Sequence, residues 1–172
     1  MPQKRAENFR HQIEYAFVWL FLGVLKAFPF KSRVKIGGAI LGWLIASVKP
    51  TRTRIANNLR RVYPDMQAEQ IKELAKAVGS NFGKSFVEIL NIDTYLSFPE
   101  LRHASGPGLD VLRGAQASGK GAILVSGHFG QWDAARHFLK SEGIEVGAIY
   151  RPSNNKLFDR IFVPQIEHAG SP

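Results

Sequence analysis

Cysteine is absent from this sequence, so neither a disulfide nor a thiolate-held metal is available to it. Long apolar runs are missing too. The uncharged stretches of the first third, Tyr15–Leu25 and Ile36–Val48, contain 11 and 13 residues. As helices they would measure about 16 Å and about 20 Å, against about 30 Å of bilayer hydrocarbon. A transmembrane span is therefore not expected from either. The segment "LKAFPFKSR" lacks a small-x-small cleavage site, which argues against a removed signal peptide. Internal repeats and low-complexity tracts are absent, and no H-E-x-x-H occurs to suggest a metal site. Acidic residues are scarce at one end only. Residues 1–61 hold 12 Lys/Arg against 2 Asp/Glu, whereas residues 62–172 hold 11 against 12.

All of the net charge of +9 thus resides in the first third. Such a segment seeks phosphate, on nucleic acid or on an anionic membrane. The aromatic residues here (Tyr15, Phe17, Trp19, Phe21, Phe28, Phe30, Trp43) join the apolar runs instead of alternating with the cations. That pattern favours an interfacial membrane anchor over nucleic acid. The competing reading makes these segments core helices of a soluble domain. The length of 172 residues suits one domain with a real core, organised as membrane-anchoring helices over 1–50 and a core over 51–172.

The periodicity predicts helices over Asn8–Ala27 and Val34–Val48, bounded by Pro29 and Pro50, with residues 1–11 frayed. Residues 51–65 form a short Arg-rich helix closed by Pro64. Between Met66 and Leu90 the spacing of Ile71, Leu74, Ala75, Val78, Phe82, Phe86 and Ile89 predicts one buried helical face, capped by Asp65. A connector over 91–108 follows. Beyond it the pattern alternates: helix at Leu109–Ser118, strand at Gly121–Val125, helix at Trp132–Ser141, strand at Glu145–Tyr150, helix at Asn155–His168. The expected fold is α/β, a helical membrane-associated N-terminal region followed by an αβ core with mainly parallel strands. Two strands leave such a sheet incomplete, so further strands come from elsewhere or the chain is a portion of a longer protein.

In an open α/β sheet ligands bind beyond the carboxyl ends of the strands. The two predicted strands deliver "SGHFGQWD" (126–133) and "YRPSNN" (150–155) to one such edge. His128 and Asp133, five apart, would diverge by about 140° within one helix. They meet only if His128 stays on the Gly127–Gly130 turn and Asp133 opens the helix. Asp133 can then orient the imidazole, leaving its other nitrogen as general base. Spacing alone equally allows an ordinary strand-to-helix turn with Asp133 as cap. Arg151 is placed to fork onto phosphate, or to form a structural ion pair. Asn154 and Asn155 cap the last helix or touch substrate, and Asp159 lies on its solvent face. Ser126 lacks the G-x-S-x-G elbow of a serine nucleophile, and His137 reads as a surface or core histidine.

Together, "GHFGQWD", "YRPSNN", "RIANNLRRVYP" (54–64) and "NFGKSFVE" (81–88) resemble the bacterial lipid A biosynthesis lauroyl/myristoyl acyltransferases, within the lysophospholipid acyltransferase superfamily and its His-x4-Asp motif. The resemblance runs along essentially the whole chain, although family members continue beyond this length. It implies transfer of a fatty acyl group from acyl carrier protein, or from CoA, to a hydroxyl of a lipid A precursor or related lysolipid, with no cofactor besides that thioester. His128 is then the base and Asp133 its support. Substrate contacts fall to Gly127, Phe129, Gly130, Gln131 and Trp132 in the first motif, and to Arg151, Asn154 and Asn155 in the second. The implied location is the cytoplasmic face of the bacterial inner membrane. The alternatives are a different glycolipid or aminolipid acceptor, or a non-catalytic membrane-surface binding fragment.

Overall fold

The computed structural model describes the backbone of residues 2–101 and 105–170, and the side chains of residues 8–100 and 105–170. Its elements are α1 (Pro2–Leu25), α2 (Phe30–Ser47), α3 (Lys49–Val62), α4 (Ala68–Ile89), α5 (Ile92–Leu96), a 3₁₀ turn (Pro99–Leu101), α6 (Gly108–Ala117), α7 (Ala134–Ser141) and α8 (Lys156–Glu167). The expected helices are all present. Helix α1 starts at Pro2, so residues 2–11 are helical and not frayed. Helix α4 starts at Ala68, beyond reach of an Asp65 cap; instead the Gln70 Oε1 accepts from the Gln67 N–H at 3.1 Å. The connector over 91–108 contains α5, too short for periodicity to reveal, and residues 102–104 of it lie outside the described residues.

The chain forms two compact units. One is Leu20–Glu88; the other combines Met1–Trp19 with Ile89–Pro172. In the Leu20–Glu88 unit, Leu25, Ile71 and Val87 are fully buried. Phe82 and Val78 on α4 are exposed, so the buried stripe differs from the apolar set read from periodicity. It runs through Gly79 and Gly83, where the α4 backbone meets that of α2. A Cβ on Gly42 would lie 2.8 Å from both Cα and N of Ser80, and one on Gly83 would lie 3.0 Å from the Gly38 carbonyl oxygen. Glycine carries no weight in a hydrophobic pattern, yet it permits the closest helix approach. Gly42→Ala is expected to destabilise this unit by about 1–3 kcal/mol, because neither backbone can yield. Gly23→Ala, whose Cβ meets nothing within 4 Å, should be neutral or stabilising by up to about 1 kcal/mol. Denaturant titration of both variants checks the contrast.

The second unit corrects the expected fold class. The described residues contain no strand, so the αβ core with mainly parallel strands is not formed. Residues 121–130 are exposed throughout, with Ile123 at 93 % and Val125 at 94 %, and Ile149 in the other expected strand is fully exposed. The physical reason is partnership. A parallel strand needs neighbours for its N–H and C=O groups and helices over both faces. Among the described residues no backbone hydrogen bond joins 121–125 to 145–150. The run "GAILV" is apolar enough for a buried strand but has no ladder to enter. The core of this unit is built instead from Ile89, Ile92, Tyr95, Leu139 and Ala169.

Candidate active site

The His128 loop and the start of α7 are built very differently. Residues 121–130 have no regular secondary structure and are exposed, and Gly130 turns the chain at φ +53°, a conformation that favours glycine. His128 is exposed and its ring lies against Trp132, with centroids 5.1 Å apart. Phe129 is also exposed. A Cβ on Gly127 would strike the Phe129 ring. Gln131 turns back on the helix start, its Oε1 accepting from the Asp133 N–H at 2.8 Å.

Asp133 stands at the N-cap position of α7 and is only 4 % exposed. No hydrogen bond or ion pair joins it to His128. Its Oδ1 accepts from Arg136 Nη1 at 3.0 Å, and its Oδ2 lies 3.2 Å from His137 Nε2, off the line of a hydrogen bond. These three residues occur at i, i+3 and i+4, the spacing that places side chains on one helix face. That spacing was available in "DAARH" and marks Arg136 and His137 as the partners that reading the His–Asp pair alone overlooks.

Arg136 is the hub of this cluster. Besides Asp133 it donates to the carbonyls of Ile166 (3.1 Å), Gly170 (3.0 Å) and Val146 (3.4 Å). Lys140 Nζ donates to the His168 carbonyl at 2.6 Å, so two cations of α7 satisfy the C-terminal end of α8. The His137 ring tilts against His168, which in turn lies 3.0 Å from Asp93.

The second motif divides similarly. Arg151 and Asn154 are exposed and no protein group engages their side chains among the described residues. Asn155 is buried and structural: its Oδ1 caps α8 at the Leu157 N–H (3.1 Å), and its Nδ2 donates to the His11 carbonyl (3.0 Å) and Glu14 (3.1 Å). Asp159 is not on a solvent face. It accepts from the Tyr150 hydroxyl at 2.6 Å and the Ser153 N–H at 3.1 Å, closing the 150–159 loop. Burial raises the Tyr150 phenol above its ordinary pKa, and the hydrogen bond to Asp159 adds to the effect.

An exposed imidazole, a free guanidinium and a glycine turn therefore face solvent on loops, while Asp133, Asn155 and Asp159 brace the helices behind them. The model of the bacterial lipid A biosynthesis acyltransferases matches residues 2–169. The chain belongs to that family. It is 29 % identical over 153 residues to a lipid A biosynthesis acyltransferase of Haemophilus influenzae (strain ATCC 51907 / DSM 11121 / KW20 / Rd), a match covering 85 % of this chain and 47 % of that protein. The chain thus spans about half the length of this curated family member. No solved structure matches it. Within the two motifs, His128, Arg151 and Asn154 have exposed side chains, whereas Asn155 is buried.

Proposed function

We propose that this chain serves fatty acyl transfer from an acyl thioester, on acyl carrier protein or CoA, to a hydroxyl of a lipid A precursor or related lysolipid. The family match over residues 2–169 carries this reading. The His128 imidazole takes the proton of the acceptor hydroxyl, and the oxygen attacks the thioester carbonyl. Collapse of the tetrahedral adduct expels the thiolate, which leaves with a proton returned by the imidazolium. Arg151 forks onto a phosphate of donor or acceptor. Asp133 steadies the imidazolium once residues 128–132 turn the ring toward it, a movement the glycines at 127 and 130 permit. Reconstitution of the full chain with vesicles containing lysolipid acceptors, supplied with a radiolabelled acyl group on acyl carrier protein or on CoA, should place label in the lipid fraction.

The reaction is proposed to occur at an anionic membrane, on the cytoplasmic face of the bacterial inner membrane. Among the described residues no helix is long and apolar enough to cross a bilayer. On α1, however, Phe9, Ile13, Phe17, Leu20 and Val24 are all exposed and recur every three or four positions along one side of the helix. Such a stripe suits shallow insertion beside basic flanks. Burial of one such side chain is worth about 1.5–3 kcal/mol, so Phe17→Glu should lower vesicle partitioning by roughly tenfold or more. Flotation in high salt should leave the wild-type chain attached, since screening removes only the ionic part.

A second reading, a membrane-surface binding protein without turnover, is favoured by the exposure of residues 121–130 and the separation of His128 from Asp133. Vesicle attachment with no transfer from either thioester would establish it and overturn the first.

A further inference from the structure

The Arg-rich segment 51–65 takes no part in the proposed chemistry, and its placement gives it a different use. Helix α3 carries Lys49, Arg52, Arg54, Arg60 and Arg61 with no acidic residue, and none of its residues is buried. Between α3 and α4, within the Leu20–Glu88 unit, lies a groove of about 520 Å³. That volume falls in the range of small-molecule sites, about 300–1,000 Å³. Its floor is aliphatic, formed by Ile55, Ala56, Ile71 and Ala75. Four cations border it, Arg52 and Arg60 from α3 and Lys72 and Lys76 from α4, and no acidic side chain lines it.

The bonding of the two arginines leaves capacity to spare. Arg52 donates one nitrogen to the Ala46 carbonyl at 3.3 Å, and Arg60 donates one to Asn57 at 3.2 Å. Their remaining donors have no protein acceptor among the described residues. Lys72 and Lys76 are steadied by Glu69 (3.0 Å) and Glu73 (2.6 Å), which stand outside the groove. The aliphatic lining favours a ligand with an apolar part, and the two arginines with unused donors favour an anionic group on it. Guanidinium forks match phosphate oxygens geometrically, and ammonium groups add point charge.

We propose that the α3–α4 groove binds a phosphate-bearing single-chain lipid, with the phosphate at Arg52 and Arg60 and the alkyl chain over Ile55, Ala56 and Ala75. The site is separate from the His128 loop and does not depend on the acyl-transfer reading.

The test uses octyl phosphate below its micelle concentration, titrated calorimetrically into the full chain. Octyl glucoside supplies the chain without the charge, and inorganic phosphate the charge without the chain. Octyl phosphate should bind with 1:1 stoichiometry, and each comparator at least about tenfold more weakly. The double variant Arg52→Ala/Arg60→Ala should lose at least about tenfold, whereas Arg54→Ala/Arg61→Ala, which removes equal charge from α3 outside the groove, should stay within about twofold. Ala56→Trp fills the floor and should abolish octyl phosphate binding; it decides the matter if the arginine variant loses helicity by circular dichroism. His128→Ala should bind as the wild type does. Equal losses in the two arginine variants would reduce the effect to diffuse electrostatics and overturn the proposal. So would failure to bind octyl phosphate accompanied by capture of an acidic carrier protein at the same arginines.

Discussion

His128→Ala is expected to lower acyl transfer by roughly 10²–10⁴-fold, the usual contribution of a positioned general base. The expectation is sharp because the residue supports nothing else. Its ring is exposed and lies only against Trp132, and residues 121–130 around it are exposed. The substitution should therefore leave the unfolding midpoint nearly unchanged, within about 0.5 kcal/mol. Loss of transfer at constant stability and constant vesicle attachment would locate the defect in the chemistry. Transfer retained in this variant would remove the base assignment and leave the family relationship standing. Asp133→Asn offers no such clean separation, since its carboxylate is buried against Arg136 and His137. A fall in activity there would combine any loss of imidazole support with loosening of α7.

The contrast between these two residues shows what local sequence can and cannot specify here. Helix limits followed from period and proline: α2 ends before Pro50, and α1 ends before Pro29. Such limits depend on neighbours within a turn or two, which the sequence displays. The Asp133–Arg136–His137 cluster obeys the same i, i+3, i+4 logic and was equally legible. Asn155, read as a cap or a substrate contact, is found as a cap accepting from Leu157. The two strands failed for the opposite reason. "GAILV" describes a segment that would be content in a sheet, but a strand exists only through distant backbone partners, and composition carries no record of them. Asp159 was misplaced because its partners, Tyr150 and the Ser153 N–H, arrive from a loop whose path has no periodicity to read. Likewise the α2–α4 contact runs along glycines, which a hydrophobic pattern passes over.

Arg136→Ala should be the most damaging single change to the unit that holds the His128 loop, at about 3–5 kcal/mol. Arg136 is mostly buried, with a side chain 14 % exposed, and the Asp133 side chain beside it is 5 % exposed. Truncation leaves a buried carboxylate facing only His137, in a geometry that is not a hydrogen bond. It also withdraws the donor shared by the carbonyls of Ile166, Gly170 and Val146. Most of the cost comes from the orphaned charge, not from the lost attraction, and a double-mutant cycle separates the two. Asp133→Asn/Arg136→Ala should be less destabilised than Arg136→Ala alone, because the amide removes the charge that lacks a partner. Hydrogen exchange gives the spatial check. Amides of α7 and of the C-terminal end of α8 should lose protection together, since one guanidinium ties both. Equal stability of the single and double variants would show that Arg136 acts through the three carbonyls alone. In that case Asp133 carries no structural charge that Arg136 must neutralise, and its carboxylate is correspondingly freer to serve His128.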